Sequence, residues 1–151
     1  MIKQKLSSCV KGKLKPLSSV SDPVFSQGML GEGIAITPSE GIVLAPCDGV
    51  ISMMFPTYHA FGIHVDGVDV LIHIGIDTVA LNGKHFKALV KEGDIVTRHQ
   101  VCVMFELDKI IEQNITTDTM MVITQKPEQV VLDIHNVPRD TDHDDIVISW
   151  I

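Results

Sequence analysis

Alternation of apolar and polar positions is clearest at residues 68–78, Val-Asp-Val-Leu-Ile-His-Ile-Gly-Ile-Asp-Thr. A strand points successive side chains to opposite faces, so Val70, Ile72 and Ile74 share one face while Asp69, Leu71 and His73 share the other. Upstream, Thr57, His59, Phe61 and Ile63 form a second stripe, with Val65-Asp66-Gly67 between the two. Shorter apolar or alternating runs recur at Gly33–Ile36, Ile42–Ala45, Gly49–Met53, Val101–Phe105, Met120–Ile123 and Ile146–Ile148, separated by turn residues. Many short strands at such spacing predict an all-β, antiparallel domain of the sandwich or barrel-like kind. Two stretches predict short helices: Gly83 to Val90, and Asp108 to Gln113 with Ile110 and Ile111 facing inward. Gly93-Asp94 ends the first and returns the chain to a strand. Leu14, Pro16 and Val20 recur as Leu44, Pro46 and Val50 at the same spacing, the trace that two related hairpin units, or chance, would leave.

The register of the hairpin decides whether its two histidines meet. A two-residue turn at Asp66-Gly67 sets Ala60 opposite His73 and sends the histidines to opposite faces. A three-residue loop Val65-Asp66-Gly67, with Gly67 left-handed, pairs His64 with Val68 and brings His59 directly across from His73. The second is favoured by the glycine at the left-handed position, and the sequence leaves both open. Opposed residues have β-carbons about 4.5–5.5 Å apart, close enough for the imidazoles to touch.

Size and composition narrow the possibilities. A chain of 151 residues is expected to form one domain. It is 45% hydrophobic and 21% charged, as a folded globular chain is. Its net charge of −7 argues against nucleic acid and suits a basic partner surface. No apolar run approaches the roughly 20 residues that span a bilayer, and no signal core follows Met1–Leu6. Cys9, Cys47 and Cys102 stand outside metal-ligand spacing and read as buried or incidental thiols of a reducing, cytoplasmic compartment.

The candidate chemistry centres on His73. A lone histidine in an apolar strand is usually a core residue; here a second histidine can face it and a glycine follows. Neutral imidazole is a good nucleophile when one nitrogen is free and the other is fixed by a hydrogen bond. A carbonyl of the Gly75-Ile76-Asp77 turn is the expected acceptor. His59 can donate a hydrogen bond to an anion formed on His73, and Thr57 can fix its tautomer. A plain cross-strand histidine pair fits the pattern equally well. Two histidines fall short of the three or four ligands of a zinc site, and a compact zinc-peptidase ligand triplet is missing. No Gly-x-Ser-x-Gly elbow occurs, and Gly28-Met29-Leu30-Gly31-Glu32-Gly33 lacks the ending of a phosphate loop. His64, His85, His99, His135 and His143 read as solvated surface.

Five segments carry a family resemblance: Asp22-Pro23-Val24-Phe25, Gly31 to Ile36, Ala45-Pro46-Cys47-Asp48-Gly49-Val50, Thr57-Tyr58-His59-Ala60-Phe61, and His73 to Val79. Over nearly its whole length the chain resembles the enzyme IIA domain of the glucose family of the bacterial phosphoenolpyruvate-dependent sugar phosphotransferase system. The resemblance implies one EIIA domain over residues 1–151, an antiparallel β-sandwich with a duplicated hairpin motif and short helices. It implies a cytoplasmic, monomeric phosphoryl carrier without a cofactor, which takes phosphate from the carrier protein HPr and passes it to a cysteine of the IIB domain of a sugar permease. Contact with the membrane would come only through the permease. His73 matches the family's phosphohistidine, modified on Nε2. His59 matches the second active-site histidine, and Thr57 the threonine bonded to it. Val24, Phe25, Met29, Leu30, Phe55, Leu71 and Val79 match the apolar ring around the site, and Asp22 and Asp77 the carboxylates near it. No metal is required, although His59 and His73 could bind zinc with a ligand from a partner. The short lead before the first matching strand gives no ground for the membrane-contacting tail of enteric members. A regulatory module docking on transporters or metabolic enzymes through the same depression is the competing reading.

Overall fold

The computed structural model describes residues 3–151. The chain runs through strands β1 (Gln4–Ser7), β2 (Gly12–Pro16), β3 (Glu32–Pro38), β4 (Ile42–Leu44) and β5 (Gly49–Met54). Next come β6 (Ala60–Val65), β7 (Val68–Ile74), β8 (Phe86–Ala88), β9 (Ile95–Val96) and β10 (Val101–Phe105). The strands β11 (Thr119–Gln125), β12 (Leu132–Ile134), β13 (Arg139–Thr141) and β14 (Ile146–Trp150) complete it. An eight-stranded antiparallel sheet has the order β13-β2-β3-β11-β7-β6-β5-β9, and two three-stranded sheets have the orders β1-β14-β12 and β4-β10-β8. This is the antiparallel architecture that the alternating runs predict.

The main core is the inner face of the large sheet packed on the small ones. Phe61, Ile63, Val70, Ile72 and Ile74 meet Val103, Ile148 and Trp150 there. The β7 burial pattern alternates as its sequence does, with Leu71 and His73 on the half-buried face. A second apolar cluster lies on that other face. Leu17, Val20 and Phe25 close over Ala35, Met120 and Val122, with Ile76 at the edge. Each fully buried side chain of this size contributes about 1.5–3 kcal/mol, which holds the Leu17–Gly28 crossing against the sheet. Within that crossing is one helical turn, α1 (Pro23–Ser26), whose first free N–H, on Val24, donates to the Asp22 side chain at 2.9 Å.

Three sequence expectations are overturned in whole or in part. Residues 83–90 form no helix, because Asn82, Gly83 and His85 all take positive φ and a right-handed helix cannot pass through them. The chain turns there and enters β8. Helix α2 (Leu107–Glu112) forms where expected and buries Ile110, but leaves Ile111 51% exposed. Successive helical residues lie about 100° apart, too far for both to face one narrow contact. Of the five outlying histidines, His64 and His99 are exposed as expected, whereas His85, His135 and His143 are partly buried. His85 is bonded to Glu106 at 3.1 Å, His64 to Asp69 at 2.6 Å, His99 to the His143 carbonyl at 2.8 Å and His135 to the Ile146 carbonyl at 3.1 Å, and the His143 side chain is mostly buried. The sequence echo gives Leu14 and Leu44 alike buried places, whereas Val20 is buried and Val50 is 40% exposed.

Cys9, Cys47 and Cys102 are buried free thiols. Burial raises all three pKa values, those of Cys47 and Cys102 to about 12, so none is a nucleophile at neutral pH. No helix among the described residues is long and apolar enough to cross a membrane.

Candidate functional site

The β6–β7 hairpin has the two-residue turn. Asp66 and Gly67 take φ of 50° and 76°, Val65 pairs with Val68, and Ala60 stands opposite His73. The favoured three-residue loop is therefore wrong, and Phe61 and Ile63 lie on the core face rather than beside His73. The histidines meet nonetheless. His59 precedes the first regular residue of β6, and Tyr58 before it takes φ of 60°. Alternation holds only inside a strand, so the turn is free to aim His59 onto the outer face. Its carbonyl still accepts from the Ile74 N–H at 2.7 Å, while its imidazole stands nearly perpendicular to that of His73, centroids 4.9 Å apart at 81°.

Each ring is held through Nδ1. His73 Nδ1 lies 2.9 Å from the Gly75 carbonyl oxygen. A carbonyl can only accept, so neutral His73 carries its proton on Nδ1 and keeps a lone pair on Nε2. His59 Nδ1 lies 2.6 Å from Thr57 Oγ1, a hydroxyl able to donate or accept. The Gly75 turn is tight: φ is +79°, and Thr78, buried beneath it, donates its hydroxyl to the Ile74 carbonyl. Thr78 was not singled out from sequence, because a threonine after Gly-Ile-Asp reads as a turn residue.

Burial favours the neutral form of both rings. It lowers the His59 pKa to about 4, with the neighbouring His73 charge adding to the effect. It lowers His73 as well, opposed by the Gly75 hydrogen bond and the carboxylates Asp22 and Asp77. The unfolded chain therefore binds protons near pH 6.5 that folded His59 refuses until about pH 4. Stability should fall as pH drops through this window, by about 3 kcal/mol at most from His59. Urea midpoints between pH 7 and 4 should show the slope, shallower in His59→Gln; an identical slope in that variant would contradict it.

Of the apolar residues expected around the site, Phe25 and Phe55 touch the histidines. Phe25 packs on His73 (centroids 4.9 Å) and Phe55 sits edge-on to His59 (5.3 Å). Val24, Met29, Leu30 and Val79 are 40%, 68%, 39% and 53% exposed, whereas Phe25 is only 5% exposed. Phe25 thus serves the second core as well as the site. Leu71 is half-buried on the His73 face, and Asp22 and Asp77 stand near enough to act on that imidazole. Among the described residues no group of three or more His, Cys, Asp and Glu side chains is placed to hold a metal ion.

Fold and site together define a class: an antiparallel β-sandwich domain with two crossed, neutral imidazoles, flanked by Phe25 and Phe55 and acted on by the carboxylates of Asp22 and Asp77. Comparison with known proteins gives the family. A family model for the phosphoenolpyruvate-dependent sugar phosphotransferase system, EIIA 1, matches residues 4–129, and the chain belongs to that family. It is 47% identical over 116 residues to the PTS system glucose-specific EIICBA component of Staphylococcus carnosus. That match covers 76% of this chain and 17% of the relative, so the chain spans a small part of that protein. The solved glucose permease IIA of Mycoplasma capricolum superposes with a TM-score of 0.89 at 30% identity, covering 97% of this chain and 94% of that one. The chain thus carries a glucose-family EIIA domain of the sugar phosphotransferase system.

Proposed function

We propose that this chain, as a single domain in the cytoplasm, carries a phosphoryl group from phospho-HPr to the IIB domain of a sugar permease on Nε2 of His73. The observation that supports this reading is the crossed imidazole pair, in which each Nδ1 is engaged and His73 Nε2 is left with a lone pair. That lone pair attacks phosphorus as the bond to the HPr imidazole breaks, and the bonding electrons return to the donor ring. In the second step a IIB cysteine thiolate attacks, and the pair returns to His73. When the Thr57 hydroxyl donates to His59 Nδ1, His59 carries its proton on Nε2 and can donate to a phosphoryl oxygen. Neutral rings at pH 7 suit both roles, and no cofactor is needed.

The exposed Val24, Met29, Leu30 and Val79, with Asp22 and Asp77, suit a transient interface with a basic partner steered by charge. A regulatory docking module would use the same surface, and phosphate on His73 would change its docking by adding negative charge. Incubation with phosphoenolpyruvate, enzyme I and HPr, followed by intact mass, should show one acid-labile phosphate. An unchanged mass would leave only the docking reading. His59→Gln should separate the two histidines: phosphate should load on His73, while transfer to IIB slows by about 10²-fold. Onward transfer as fast as wild type would remove His59 from the mechanism.

A further inference from the structure

The peptide unit that fixes His73 is gripped from its far side. Its carbonyl, that of Gly75, accepts from His73 Nδ1, and its N–H, on Ile76, donates to the Thr116 carbonyl at 3.0 Å. The adjacent Gly75 N–H donates to the Asp118 carbonyl at 2.9 Å. A peptide that donates on one side is polarised into a better acceptor on the other, so Thr116 strengthens the bond that holds the His73 proton. Yet residues 115–118 belong to no helix or strand, and irregular backbone alone would not place two carbonyls accurately. The Asp118 side chain is itself anchored. Only 7% exposed, it is held at both carboxylate oxygens: Lys15 Nζ lies 2.6 Å from Oδ2, and Thr37 Oγ1 donates to Oδ1 at 2.9 Å. Lys15 lies on β2 and Thr37 on β3, so the 115–118 segment is tied across to two further strands of the large sheet.

We propose that Asp118, anchored by Lys15 and Thr37, is a positioning residue for His73. It fixes the carbonyls of Thr116 and Asp118, these fix the Gly75–Ile76 peptide, and that peptide keeps the imidazole proton on Nδ1 and the lone pair on Nε2. The tautomer effect stands on geometry alone; its consequence for phosphoryl transfer rests on the carrier reading above. His59 provides an internal control, since its Nδ1 is held by Thr57 and not by this segment.

Nitrogen-15 NMR of the imidazoles in the full chain tests the assignment, alongside initial rates of phosphorylation by phospho-HPr. In Asp118→Asn and Lys15→Met, His73 should change from the Nδ1–H form to a mixture of tautomers while the His59 signals stay in place. Phosphorylation should slow roughly tenfold, as is usual when the partners behind a reactive group are removed. Lys15→Arg preserves the ion pair and should restore both tautomer and rate. Thr37→Val keeps the pair intact and should shift His73 less in the same direction, which gives a readout if the stronger variants fail to fold. Folded variants whose His73 remains wholly Nδ1–H would overturn the proposal, as would equal shifts of His59 and His73. Variant tautomer shifts as expected, with a wild type that takes up no phosphate, would refute the carrier reading and leave the positioning role standing.

Discussion

His73→Ala should accept no phosphate from phospho-HPr, a loss to below detection in intact mass after incubation with enzyme I and phosphoenolpyruvate. The substitution removes the lone pair that forms the new bond. Nothing nearby replaces it, because His59 is 2% exposed with Nδ1 engaged by Thr57, and the buried thiols stay protonated. The fold should survive, since His73 is only half-buried on the outer face of β7 while Val70, Ile72 and Ile74 carry the core contacts. His73→Gln fills more of the space against Phe25 and His59 and should be equally inactive. Labelling of either variant at the wild-type rate would reject His73 as the acceptor.

Gly75→Val should lose nearly as much activity without removing any chemical group. Gly75 has φ of +79°, which strains a β-branched residue by about 1–3 kcal/mol. A β-carbon there would lie 2.4 Å from Thr78 Cγ2 and 2.9 Å from the Thr116 carbonyl oxygen. The turn must move, and the carbonyl that accepts from His73 moves with it. The expected results are a lower thermal midpoint, mixed His73 tautomers and phosphorylation slowed by about 10²-fold, the cost of a displaced reacting group. Nitrogen-15 NMR on wild type sets the reference. If wild-type His73 already shows mixed tautomers, or if Gly75→Val retains the Nδ1–H form and full rate, the tautomer lock does not exist.

The strands were legible because burial is two-sided and periodic. Val70, Ile72 and Ile74 have to face a core, and that alone placed His73 on the opposite face. The glycine after the strand also pointed to the turn whose carbonyl holds the ring, since few other residues accept such backbone. Short, polar or half-exposed elements were harder to read. Gln4–Ser7, Gly12–Pro16, Leu132–Ile134 and Arg139–Thr141 bury too little to display a pattern and become strands by pairing with distant partners. The 83–90 segment looked helical by spacing, yet three left-handed residues dictate otherwise, a property of backbone that apolar spacing does not report.

By itself, the sequence determined the antiparallel β class, the face of β7 that carries His73 and, through its motifs, the family. Only the tertiary structure decided how the two histidines meet. Strand register would have parted them, and the turn at Tyr58 brings His59 back by leaving the strand before alternation applies. It alone also revealed that Lys15, Thr37 and Asp118 converge behind the Gly75 turn. The contact between Lys15 and Asp118 joins a residue of β2 to one just before β11, far apart in the chain. Local pattern records which face a residue occupies, whereas packing between strands decides what it meets there.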